Sequence, residues 1–225
     1  MPRAYLVLLL LAACGILAGA GHAQGFKFSN EEQTDSAAQA ERQAKVQAQL
    51  ATPCRDKIKN QKIMVLIGEE RNGVISASQA SYSTHVDAIN QRLKSLGLRT
   101  YSPEEIRKQV AQAEIDAYFK NDPDAAINAS KRLAAQYILR GLIATQATRN
   151  AIVNVAQVNV SMDFTLTGAN GRMISQAGAR NESFAGRDVS GMALTLINER
   201  ADDVVAQLYS DYCQKAGLQE PVRRK

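Results

Sequence analysis

The stretch that most restricts what this chain can fold into is VNVSMDFTLTGANGRMIS, residues 158–175. Val158, Val160, Met162, Phe164 and Leu166 alternate with Asn159, Ser161, Asp163, Thr165 and Thr167. A period of two places one set on each face of a strand, so one face meets a core and the other is polar. Asn170-Gly171 follows, the pair that a tight hairpin needs where the backbone takes positive φ. The run from Arg172 to about Phe184 is therefore predicted to pair antiparallel with the strand before it. Upstream, Val153 and Val155 fall in the opposite phase, which predicts a β-bulge at Ala156-Gln157.

A different kind of strand precedes this hairpin. KIMVLI (62–67) is apolar without interruption, the pattern of a strand buried on both faces in a parallel or mixed sheet. Val86, Ile89, Leu93 and Leu96 recur at helical spacing before Gly97, giving a helix over 84–96. LRTY (98–101) reads as a short strand. Ser102-Pro103-Glu104-Glu105 is a helix start with Ser as cap and Pro at the first helical position. That helix is expected to run through Ile106, Val110 and Ala113 to Tyr118 and Phe119. Asp122-Pro123-Asp124 opens another, to about Ala134, and QYILRGLIATQA (136–147) is the next strand. A final helix over about 189–214 places Ile197, Ala201, Val204 and Leu208 on one stripe. The order β-α-β-α-α-β-β-β-α describes an α/β sandwich with a mixed five-stranded sheet flanked by helices.

The amino-terminal stretch has other rules. Arg3 followed by an apolar run over residues 4–20 has the layout of a secretory signal, too short to favour a membrane span. LAACGILAGAGHAQG (11–25) then holds two processing signals. Leu11-Ala12-Ala13-Cys14 is a lipoprotein box that would lipidate Cys14, and Gly21-His22-Ala23 is an ordinary signal-peptidase site. The second uses the whole apolar run and explains why it continues past Cys14, so release after Ala23 is the preferred reading. The division expected is a signal peptide (1–23), a polar linker with an Ala/Gln-rich helical arm (24–53, the arm itself over 36–51), an α/β domain (54–216) and a basic tail (217–225).

Export bears on the cysteines. With Cys14 in the leader, Cys54 and Cys213 remain in an oxidising compartment, where pairing is the default. If the first and third strands run parallel, as helical crossovers favour, the hairpin strands reverse twice. The last helix then ends near the starting edge of the first strand, just beyond Cys54. A Cys54–Cys213 disulfide follows from this topology.

Catalytic chemistry is harder to find. His85 is the single histidine after Ala23, and it reads as a surface residue near a helix start. No Cys/His/carboxylate set has metal-ligand spacing. In GEERNG (68–73), Glu69 and Glu70 stand where a phosphate loop would need backbone amides, which disfavours a nucleotide. No enzyme, cofactor or metal is expected. The formal net charge of +5 includes Arg3 of the leader and the Arg223-Arg224-Lys225 tail. No Trp is present and basic and aromatic residues do not interleave, so nucleic acid is not an expected partner. Membrane contact is expected only through a lipid on Cys14. The residues 69–83, read as a long loop beyond the carboxyl end of the first strand, form the preferred contact surface, beginning with Glu69, Glu70, Arg71 and Asn72. The polar face of 159–167 is a second candidate.

Three segments together carry a resemblance: Leu96-Gly97-Leu98-Arg99, Ala135 through Gly141 (AQYILRG), and Asp163 through Ile174 (DFTLTGANGRMI). They resemble the middle domain of flagellar assembly protein T and the TolB amino-terminal domain. They are also similar to the curli-secretion and penicillin-binding-protein-activator lipoproteins. Over about residues 60–213 the resemblance implies an envelope α/β domain, without catalysis, that binds other proteins in a larger machine. The expected function is thus a periplasmic accessory or assembly protein acting through protein contacts. The alternative is a periplasmic small-ligand-binding domain using the loop 69–83.

Overall fold

The computed structural model describes residues 29–71, 73–77, 84–149, 152, 154–185 and 188–218. The expected signal peptide, Cys14, Asn72 and the end of the basic tail lie outside them. The chain divides into one unit ending at Ala38 and another from Gln39 onward. Helix α1 (Ser29–Leu50) crosses that boundary, so the polar linker is shorter than expected and becomes helix at Ser29. The second unit holds the sheet.

After α1 and the single turn α2 (Arg55–Ile58), β1 (Lys62–Arg71) pairs in parallel with β4 (Tyr137–Arg149). The hairpin β5 (Ala156–Gly168) and β6 (Met173–Ala185) extends the sheet antiparallel from β4. On the other edge of β1, β3 (Arg99–Thr100) pairs at one end and β2 (Val74–Ser76) at the other. Among the described residues the sheet thus has six strands, not five, in the order β2-β1-β4-β5-β6 with β3 beside β1. The added strand is β2. Residues read as loop instead continue β1 to Arg71 and turn back through Gly73 (φ 77°).

Two apolar layers flank the sheet. Ile63, Val65 and Ile67 of β1 join Leu139 and Ile143, the apolar set of β5, and helices α3 (Thr84–Ser95) and α7 (Val189–Leu218). Met64, Leu66 and Ile138 pack on the other face under α4 (Pro103–Gln109), α5 (Gln112–Phe119) and α6 (Pro123–Leu133). This explains the unbroken apolar run of β1: its two side-chain rows enter two different cores. In β5, by contrast, Val158, Val160, Met162, Phe164 and Leu166 are buried and the polar alternates are not.

Two local expectations need correction. The helix opened by Ser102 does not run to Phe119; it breaks at Val110, which leaves helical backbone (φ −127°, ψ 119°). At 3.6 residues per turn, Ile115 would lie half a turn round from Ile106 on a straight helix, facing solvent. The break re-aims Ile115, Tyr118 and Phe119 at the sheet, and Glu114 caps the new start by accepting from Ala111 N–H at 3.0 Å. The bulge also lies elsewhere. β5 begins at Ala156, after Asn154 in a left-handed conformation (φ 52°), and Ala156 and Gln157 pair in unbroken register with Arg149 and Thr148, while Val153 lies outside the described residues. The irregularity in the hairpin falls at Leu166/Thr167, beside the turn. There Gly171 takes φ 80° and Asn170 Oδ1 accepts from Arg172 N–H at 3.0 Å.

Cys54 and Cys213 are joined, with Cα atoms 5.5 Å apart. The bridge ties the segment before α2 to α7, at the end of the domain that the strand directions required. Tyr209 Oη reinforces it by donating to Thr52 O at 2.7 Å.

Candidate functional site: a cleft at the strand ends and an open sheet face

Parallel strands β1 and β4 point their carboxyl ends toward the starts of α3 and α7. A cleft of about 650 Å³ opens there, lined by Glu69, Arg71, Thr84, His85, Thr145 and Ser190 among others. Because β1 continues through it, the predicted contact segment is half of a hairpin: Glu69 pairs with Ser76, Glu70 with Ile75 and Arg71 with Val74. Alternation along the strand then sends the Glu69 and Glu70 side chains to opposite faces. Of the four residues expected to begin the contact surface, Glu69 and Arg71 line the cleft, Glu70 does not, and Asn72 lies outside the described residues.

His85 is not the surface residue that its position suggested. Its side chain is 12 % exposed, and Nδ1 stands 3.2 Å from Glu69 Oε1. Arg71 Nη2 donates to the other oxygen, Glu69 Oε2, at 3.4 Å. At the same cleft, Asp188 caps α7, accepting from Gly191 N–H at 2.8 Å. The Glu69–His85 pair spans 16 residues of sequence and is assembled by the β1–α3 crossover. No spacing rule announces it. The carboxylate orients the imidazole. No group of three or more His, Cys, Asp or Glu among the described residues can hold a metal ion.

The second place follows from unequal layers. On the side of α4, α5 and α6, the helices cover β1 and the start of β4 and reach the hairpin only at its turn end, where Tyr118 hydrogen-bonds Thr167 and Ile127 lies close to Gly171. Asn159, Ser161, Asp163 and Thr165 point to this side, and their neighbours on β6 are Glu182, Arg180, Gly178 and Gln176. On β4 they face Gln146, Ala144, Leu142 and Arg140. A shallow depression of about 510 Å³ lies on this face, between Ala144, Ser161 and Arg180. Phe184, at the end of β6, is 58 % exposed beside it. Of the polar face of 159–167, the part from Asn159 to Asp163 is thus the open side of a three-strand surface, whereas Thr167 meets Tyr118 of α5.

At the seam between covered and open halves stands Arg140, which periodicity marks only as one more position of a strand. Its guanidinium carbon lies 5.1 Å from the Phe119 ring centroid and 5.7 Å from that of Tyr118. Burial raises the Tyr118 hydroxyl above the ordinary tyrosine value, against the nearby Arg140 charge and a hydrogen bond with Thr167. Among the described residues, Arg140 Nε is buried with no acceptor.

No family model and no curated protein matches the chain. Solved structures do. A PelC dodecamer from Paraburkholderia phytofirmans is 16% identical over 65% of this chain and 88% of its own, with a TM-score of 0.35. A hypothetical protein from Chlamydia trachomatis is 15% identical over 65% of this chain and 98% of its own, at 0.43. Lipoprotein GNA1162 from Neisseria meningitidis is 12% identical over 61% of this chain and 92% of its own, at 0.37. Likenesses at this level say nothing about role. No helix among the described residues is long and apolar enough to cross a membrane.

Proposed function

We propose that the protein is a non-catalytic accessory or assembly protein of the bacterial cell envelope, working in the periplasm through contacts with another protein. The observation that carries this is the open face of β4, β5 and β6. One side of the sheet is covered across every long strand, whereas the other is covered over β1, the start of β4 and the turn end of the last hairpin. The surface left over is flat and held by long paired strands. It carries hydrogen-bonding side chains and ends in the exposed Phe184. Flat, rigid surfaces with an aromatic at the border suit a protein partner better than a small molecule, which needs concavity. The disulfide supports an exported protein, and release after Ala23 is part of this reading. The resemblance to flagellar assembly protein T, TolB and the curli-secretion and penicillin-binding-protein-activator lipoproteins fits the same role.

Photo-crosslinking in cells tests it. A photoreactive side chain at Ser161 is expected to give one reproducible adduct with an envelope protein, and one at Lys94, on α3, is expected to give none. A chain recovered alone from Ser161, or adducts confined to Thr145 in the strand-end cleft, would overturn the proposal.

A further inference from the structure

Arg140 has what an interface anchor needs and lacks what a structural arginine has. Alternation along β4 places Ile138, Arg140, Leu142 and Ala144 on the side of α4, α5 and α6. Ile138 is buried in the core there, and Arg140 is the next residue outward on the same row. Phe119 and Tyr118 stack against its guanidinium and hold it in one orientation, which removes most of the entropy an arginine loses on binding. Among the described residues, no carboxylate forms an ion pair with it.

The acidic groups around it are turned elsewhere. Asp163, on the neighbouring rung of β5, leans away toward β6: a Cβ built on Gly178 would lie 2.9 Å from its Oδ1. On α5, Glu114 is held by Arg132 at 2.6 and 2.7 Å, and Asp116 accepts from Gln112 at 2.8 Å. Glu182 accepts from Gln157. Glu70 shares the face but stands beside Ala144, four residues further along β4, or roughly 13 Å at the rise of a strand. Of the basic groups, Arg180 lies opposite Ser161.

Nε itself is enclosed and has no acceptor among the described residues, so what a half-buried Arg140 offers to the open side is the Nη pair of its guanidinium. A carboxylate fits such a donor pair best, because its two oxygens match the planar guanidinium. We infer that Arg140 is the anchor of the open sheet face and takes an Asp or Glu side chain of the partner protein. This rests on the docking face proposed above.

A blocked hexaglutamate peptide, amidated so that it has no terminal carboxylate, probes the full mature chain. The Arg140 Nε–Hε resonance, assigned by its loss in R140K, is expected to shift on titration. R140Q is expected to weaken binding at least tenfold, and R180Q to leave it unchanged. Hexaglutamine is expected not to bind. If R140Q fails to fold, the wild-type resonance decides alone. An unmoved Arg140 resonance, equal binding by a folded R140Q, or loss on R180Q would overturn the anchor. Those results leave the Ser161 crosslink standing, whereas loss of that crosslink removes the face itself.

Discussion

Removing the disulfide by C54A/C213A tests whether the amino-terminal segment is integral to the domain. The bridge spans 159 residues. In the chain-entropy treatment, a loop of that length restricts the unfolded chain by about 5 kcal/mol at 25 °C. The Cα separation of 5.5 Å falls in the usual range of roughly 4.4–6.8 Å, so the fold accommodates the bridge without moving backbone. The tied segment also makes contacts of its own: Val46, Leu50 and Ile58 against the core, and hydrogen bonds from Gln49 to Gln207, Tyr209 to Thr52 and Asn60 to Gly97. They do not replace a restraint of that size. Urea unfolding of the oxidised wild type and the double variant, followed by circular dichroism, gives the comparison. With a slope of about 2 kcal/mol/M, the midpoint is expected to fall by roughly 2.5 M. A thermal midpoint about 10–20 °C lower is the corresponding expectation for a domain of this size. The slope itself should rise, because an uncrosslinked chain exposes more surface. A midpoint within about 0.5 M of wild type, at an unchanged slope, would refute the reasoning.

Two further outcomes rest on the packing. A Cβ on Gly141 would fall 2.7 Å from Cδ1 of Phe164, its cross-strand partner and a fully buried ring, so G141A is expected to cost about 1–3 kcal/mol. F164L should recover part of that loss in the double variant, and additivity of the two urea midpoints would contradict the contact. Alkaline pH should destabilise the fold: burial raises Tyr118, and burial together with the Tyr212 hydrogen bond raises Tyr137. A raised folded value means stability is full below the ordinary tyrosine value of about 10 and is lost as pH climbs past it. Urea midpoints at pH 8 and pH 11 should therefore diverge, and Y118F/Y137F should narrow the gap; an equal gap in that variant would exclude these two hydroxyls.

The legible parts of the fold and of the candidate sites share a property: their cause lies within a few residues of their effect. The alternation of 158–167 was readable because a strand repeats every two residues whatever packs on it, and all five apolar positions are buried. The Ser102 capping box was readable because both of its hydrogen bonds close within three residues. Cys54 and Cys213 were a partial exception. Their pairing needed the strand directions, which crossover handedness supplies.

Local backbone geometry therefore settles the kind and order of elements, the faces they bury and the open polar side of the last hairpin, all from the order of residues along the chain. The break at Val110 came from packing instead, because a straight helix would have turned Ile115 away from its core. Packing also extended β1 into a hairpin with β2, and brought Glu69 to His85 and Arg140 to Phe119. These pair residues on different elements, whose distance is set by how whole layers stack. Alternation and helical spacing say which way a side chain points, but only the assembled layers decide what it meets.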